Sequence, residues 1–196
     1  MKILHFIKLY FAERYSPLVR FLHYSLLIFV LGQIVLSNFM GFDDGEIRRN
    51  FITFYGTWSH IITGIVLMPL ALVFTAIELK KHGILYFYPY LSGDFSQLSA
   101  DLNKLMSFKL PETSPKGIAA IIQGLGMAIL LSVILSGLIW YLLWSNHAPG
   151  IHFMKEIHEL LTGLVEAYII GHGSMGALHL LLSYRDQKKY NDGAEC

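Results

Sequence analysis

The stretch IHELLTGLVEAYIIGHGSMGALHLLLSY, residues 157–184, decides how this chain is read, because it is long and largely apolar yet carries His158 and His172 fourteen positions apart. At about 1.5 Å and 100° per residue, fourteen positions return a helix to nearly the same face roughly 21 Å further along. Two ligands from one helix are thereby placed to serve two stacked centres. Working outward, three more apolar blocks, near residues 18–39, 55–77 and 117–144, are each long enough to cross a hydrocarbon core, which takes roughly 20 residues. The first block carries His23 and the second His60.

Hydrophobic residues make up 54% of the 196 positions and charged ones 15%, and the charges gather between the apolar blocks. That pattern predicts an all-α integral membrane four-helix bundle, with residues 1–196 forming one domain. Lys2, Lys8, Arg14 and Arg20 precede the first block, Lys80, Lys81, Lys104, Lys109 and Lys116 lie in the middle connection, and Arg185, Lys188 and Lys189 follow the last. The other two connections have only Arg48, Arg49 and Lys155. Positively charged segments stay on the cytoplasmic side, so both termini are expected there. A net charge of +1 explained by topology leaves no nucleic-acid signature, and lone Cys196 excludes an internal disulfide and a cysteine-pair metal site.

Two further segments are expected at the membrane surface. Ile3, Leu4, Ile7, Tyr10 and Phe11 share one helical face, and no small-residue cleavage pattern precedes Ser16-Pro17, so the amino end reads as an amphipathic surface helix rather than a signal peptide. The connection from Glu78 to Lys116 holds an aromatic run, Leu85 to Tyr90, broken by Pro89. After it Leu98, Leu102, Leu105 and Met106 recur at helical spacing behind the possible cap Ser96, with Pro111 and Pro115 beyond. A short interfacial helix is expected there, its apolar stripe packed against the bundle.

With this orientation His60 and His158 lie near the outer surface, and His23 and His172 near the cytoplasmic one. The expected pairs are His60 with His158 and His23 with His172, each offering two imidazoles to opposite sides of one flat cofactor. Zinc would draw about four ligands to one point, whereas these histidines form two separate pairs. Haem suits them better, and without a Cys-x-x-Cys-His run it must be b-type: two haem b groups, held by His23, His60, His158 and His172. Two axial imidazoles fill the iron's coordination sphere, so the implied chemistry is electron relay. Gly32, Gly64, Gly163 and Gly171 lie on the same helices, where a porphyrin edge needs close backbone approach, although glycine is common at any membrane helix interface. Arg20, three residues before His23, either pairs with a haem propionate or anchors the topology.

The run Arg20-Phe21-Leu22-His23-Tyr24 resembles the Arg-x-x-His-Trp start of the first span in the bacterial cytochrome b561 and nickel-iron hydrogenase b-type cytochrome superfamily, which includes the di-haem gamma subunits of formate dehydrogenases. His158-Glu159-Leu160-Leu161-Thr162-Gly163 through His172-Gly173-Ser174-Met175 is similar to their two-ligand helix. Pro115-Lys116-Gly117 and Ser136-Gly137-Leu138-Ile139-Trp140 are similar to the ends of their third span. Tyr24 replaces the usual tryptophan, and the third span offers Gln123 where the smaller superoxide-oxidising relatives carry histidine, which favours the hydrogenase and formate dehydrogenase branch.

The resemblance implies an electron-transfer subunit in the bacterial inner membrane, passing electrons between a periplasmic iron-sulfur or cytochrome c partner and quinone. The alternatives are a self-sufficient quinone reductase with a diffusible donor, and a haem-free transporter or assembly subunit that uses histidine and Glu166 for proton or metal passage. Glu166 sits mid-span, as a functional group or as a hydrogen-bonded acid filling the interior. His179, seven residues beyond His172, is placed to bond a quinone carbonyl or a propionate, or to replace His172 as ligand. Quinone is expected near Arg20, His179 and the middle connection, and His5, His82, His147 and His152 at or beyond the membrane surfaces. A docking partner would meet Trp144, His147 and His152.

Overall fold

The computed structural model describes residues 3–43, 46–48 and 50–194, so Lys2, Arg49 and Cys196 of the charge and cysteine arguments lie outside the described residues. The surface helix at the amino end is α1 (Ile3–Arg14). Ser16 and Pro17 then restart the chain as α2 (Pro17–Ser37): the Ser16 hydroxyl accepts from the Val19 N–H, and the proline occupies a first-turn position that needs no donor. A two-residue antiparallel pair, β1 (Phe42–Asp43) with β2 (Glu46–Ile47), separates α2 from α3 (Phe51–His82). Asn50 caps α3 through its Oδ1, 2.8 Å from the Thr53 nitrogen, and Gly83 ends it at φ +82°, a conformation that glycine adopts without steric cost. The short α4 (Ile84–Phe87), a 3-10 turn at Pro89–Leu91 and α5 (Ser96–Met106) lead to α6 (Ile118–Ser145) and α7 (Ile151–Ala194).

The fold is helical throughout, apart from that one strand pair among the described residues. Three helices, α2, α3 and α6, are long and apolar enough to cross a membrane. The expected fourth span lies within α7, the longest helix, which falls outside that set because Glu159, Glu166, His158, His172 and His179 dilute it. Close packing follows chain order, α2 on α3, α3 on α6 and α6 on α7, and α1 reaches the far part of α7, where the Phe6 and Tyr184 rings lie 5.2 Å apart. The core is a thin apolar seam of Leu22, Leu26, Leu67, Ala71, Met127 and Val165. Large apolar side chains such as Ile28, Val35 and Ile170 point outward, as they do where lipid replaces water.

The α5 region departs from expectation. Ser96 is the first helical residue rather than the cap, and the Asp94 carboxylate accepts from both its N–H and its hydroxyl. The stripe is reversed: Leu102, Leu105 and Met106 are exposed, while Asp101 is 1% exposed. The reason is electrostatic. Asp101 Oδ2 accepts from the Ile118 N–H at 2.9 Å, at the positive end of α6, and Oδ1 accepts from Gln97 at 2.8 Å, so α5 hangs on the bundle by its polar face. An outward apolar stripe is what an interfacial helix presents to lipid. Lys116, 2.7 Å from Asp94, and the Ser96 donors hold the Asp94 carboxyl down to about 2. Its contribution is therefore present above the ordinary value of 3.8 and lost as pH falls toward 2.

Replacing Asp101 by Ala should destabilise the protein by about 1–3 kcal/mol, because it removes a cap and leaves the Ile118 N–H without its acceptor. Asp101→Asn, which keeps an acceptor, should recover most of that loss in thermal unfolding in detergent. Equal melting of Asp101→Ala and wild type would refute the capping role.

Candidate functional site

Two pairs of imidazoles face each other across the bundle. His23 of α2 and His172 of α7 have ring centroids 6.3 Å apart with planes at 56°. His60 of α3 and His158 of α7 are also 6.3 Å apart, at 85°. These are the partners expected from depth along the helices. Two metal–nitrogen bonds of about 2 Å each, with about 1 Å more from each nitrogen to its ring centre, add up to roughly 6 Å. Each pair is thus spaced to take one metal ion between its rings. Among the described residues no three histidine, cysteine, aspartate or glutamate side chains gather where they could hold a metal. Two nitrogens fill only part of a coordination sphere, so a metal held there must bring its remaining ligands with it, as iron in a porphyrin does.

The surroundings of His60 and His158 fix their tautomers. His60 Nδ1 lies 3.2 Å from the Gln33 carbonyl oxygen, and His158 Nδ1 lies 3.1 Å from the Val133 carbonyl oxygen and 3.0 Å from Ser136 Oγ. A carbonyl only accepts, so these contacts place the proton on Nδ1 and leave the lone pair on Nε2. The Gln33 amide in turn donates to the His60 carbonyl oxygen at 3.0 Å and to Thr63 Oγ1 at 2.8 Å, which locks α2 to α3. The second pair is held by rings instead: His23 meets Phe74 at 6.3 Å, and His172 stacks on Tyr168 at 5.1 Å with planes 13° apart.

Glycines seat both imidazoles of α7 against α6. A Cβ on Gly137 would stand 2.9 Å from His158 Cε1, and one on Gly126 would fall within the Tyr168 ring that supports His172. Gly32, Gly163 and Gly171 have no heavy atom within 4 Å of where a Cβ would lie, whereas Gly64 faces the Gln33 amide at 3.4 Å. Open backbone on α2 and α7, beside both pairs, suits a flat group lying between helices. Among the described residues, Arg20 Nε and Trp140 Nε1 are buried donors without a partner, as is the Ser114 hydroxyl. Arg20 lies about one turn beyond His23, and Trp140 about one turn beyond Gly137 and His158 toward the opposite end. The propionates of two porphyrins would supply the missing acceptors, so the residues present fit the group.

The remaining expected site residues lie apart from the pairs. His179 is half-buried on α7, and Glu166 is exposed there, with no hydrogen-bonding partner among the described residues rather than bonded within the interior. Gln123 donates to Glu78 at 3.3 Å and does not join either histidine pair. Gln33, Gly126 and Tyr168 emerge as site residues only from the structure, while Ser136 and Gly137 belong to the third-span motif quoted from the sequence without a role. Of these Gln33 carried a signal, since a polar side chain inside an apolar span is a functional candidate by default.

The model of the family described as prokaryotic cytochrome b561 matches residues 14–186, from the end of α1 into the last turns of α7, and so takes in all four paired histidines. No curated protein and no solved structure matches the chain. With a family match over most of its length, and with a helical, lipid-type surface around it, the chain belongs to the prokaryotic cytochrome b561 family and is a membrane protein that binds b-type haem in electron transfer.

Proposed function

We propose that this chain is a di-haem cytochrome b that relays electrons across the bacterial inner membrane, between a periplasmic iron-sulfur or cytochrome c subunit and the quinone pool. The observation that carries the reading is the pair of facing imidazole couples, each drawing one member from α7. His60 and His158 hold the outer haem, and His23 and His172 the inner one. Arg20 neutralises a propionate at the inner edge, and Trp140 donates to one at the outer edge. Iron held by two imidazoles supplies reversible one-electron chemistry without an open site for substrate.

In this reading α7 is the fourth span. Its length supports that, since 44 residues far exceed what a hydrocarbon core needs, and its polar side chains at 158 and 172 each lie 6.3 Å from an imidazole of a neighbouring helix. The lysine and arginine distribution supports a cytoplasmic position for both termini. Quinone binds near the inner haem, where Arg20, His179 and the segment from α4 to α5 share one end of the bundle. His179 offers a donor for a quinone carbonyl.

Pyridine haemochrome analysis of purified protein should give two b-type haems per chain. Replacing His60 or His158 by Ala should remove one centre from the reduced-minus-oxidised spectrum and leave the other, and replacing His23 or His172 should do the converse. Colourless protein from iron-replete cells would end this reading. Gly137→Ala should perturb or empty the outer centre alone by pushing on His158, and Gly126→Ala the inner one through Tyr168, visible as selective loss in the same spectra. His179→Ala should slow quinone-linked haem reoxidation about tenfold or more while both spectra persist, as expected for losing a hydrogen bond to a substrate oxygen. Unchanged turnover would remove His179 from the quinone site.

A further inference from the structure

Glu78 is a buried acid that the relay itself does not use. It is 3% exposed on α3, and its Oε2 accepts from Gln123 Nε2 of α6 at 3.3 Å. The same oxygen lies 3.4 Å from Nδ1 of His82, one turn along α3, whose side chain is 28% exposed against 4% for Glu78. The contact therefore runs from a wet imidazole to a dry carboxyl. Tyr15, between α1 and α2, and Tyr86 of α4 also lie close enough to interact with it electrostatically. Arg20 of α2 lies at the same level, yet among the described residues no lysine or arginine forms an ion pair with Glu78. The other deeply buried acid, Asp101, has its role in capping α6.

Position gives Glu78 a use. Phe74, one turn away on the same helix, meets the His23 ring at 6.3 Å. Negative charge that arrives close to a buried carboxyl favours its protonated form, and the contact with His82 gives a proton a route in from water.

Resting on the di-haem reading above, we propose that Glu78 is the proton-accepting group of the inner redox centre, loaded from the cytoplasmic surface through His82. A haem held by His23 and His172 would supply the one-electron chemistry, with the electron coming from the donor, and the chain's own part is the proton. His82 takes one proton from water and passes one from Nδ1 to the Glu78 carboxylate, which becomes the acid. On reoxidation the electron leaves for the acceptor and the proton leaves Glu78. Two such cycles supply the two electrons and two protons that convert a quinone into a quinol. Gln123 orients the carboxyl for this exchange.

The test uses the full haem-loaded chain as wild type, Glu78→Gln and His82→Ala, titrated with dithionite and ferricyanide from about pH 6 to 9. In wild type the midpoint of the inner centre should fall with rising pH while the outer centre stays flat. Reduced-minus-oxidised infrared spectra should show a carboxylic acid carbonyl band. Glu78→Gln should abolish the slope and the band while keeping both haem spectra. His82→Ala should keep the slope but slow proton uptake, read with a pH dye in stopped flow, about tenfold or more. A flat inner midpoint in wild type overturns the proposal without any variant, as does a Glu78→Gln protein that keeps the slope and the band. Absence of haem would instead overturn the di-haem reading on which it rests.

Discussion

Helix α7 meets α2 and α3 through imidazole rings, while its close backbone packing is against α6 and α1, and the bundle is organised around that arrangement. In lipid there is no hydrophobic drive to bring helices together, so small residues and polar contacts decide which faces approach. Between α6 and α7 the small residues do so, with Gly126 and Gly137 letting Tyr168 and His158 lie against the α6 backbone. Between α2 and α3 the polar contacts do so, with Gln33 bonded in both directions to the His60 turn. The two pairs of helices are thus tied internally by different means and joined by α3 on α6, and the imidazoles face each other between them.

That division explains why the supports differ at the two levels. His60 and His158 have their Nδ1 atoms tied to carbonyl oxygens, which fixes tautomer and ring direction together. His23 and His172 are steered by Phe74 and Tyr168, which constrain the ring plane but leave the proton position open. Hydrogen bonding to an axial imidazole raises its basicity and so tunes the metal it binds. In the proposed di-haem reading, two centres that each take one imidazole from α7 would thus have different surroundings.

Much of this was legible in the sequence. The apolar blocks predicted the helices, because a bilayer tolerates little else, and the depths of His23, His60, His158 and His172 along those blocks predicted which rings would face each other. The strand pair between α2 and α3 was not foreseen, although the sequence carries an Asp44-Gly45 pair there, a hairpin signal in its own right. The stripe on α5 was placed on the wrong side because periodicity shows that a face is apolar but not what lies opposite it. Only the structure shows that the α6 N-terminus needed an acceptor, which Asp101 supplies. Gly126 and Gly137 were illegible for a related reason: a glycine in an apolar helix looks the same whether it faces lipid or a ligand-bearing ring. The same holds for Glu78, whose burial follows from the chain returning as α4 and α6 beside the end of α3.

The low hydropathy of α7 belongs to the same logic. A window average counts every side chain as though it faced lipid, and α7 is the helix in which that assumption is worst. His158 and His172 lie beside other rings, and Thr162 bonds its hydroxyl to the His158 carbonyl oxygen at 2.8 Å, so part of its polarity is met by neighbouring groups. A helix that carries ligands for two centres must be less apolar than its neighbours by about that number of polar side chains, and a span that reads as marginal beside three strong ones is where a membrane redox site should first be sought. In the proposed reading the fourteen-residue spacing adds a direction: ligands roughly 21 Å apart on one face of α7 would stack two centres along the helix, so transfer between them would run along the helix rather than sideways.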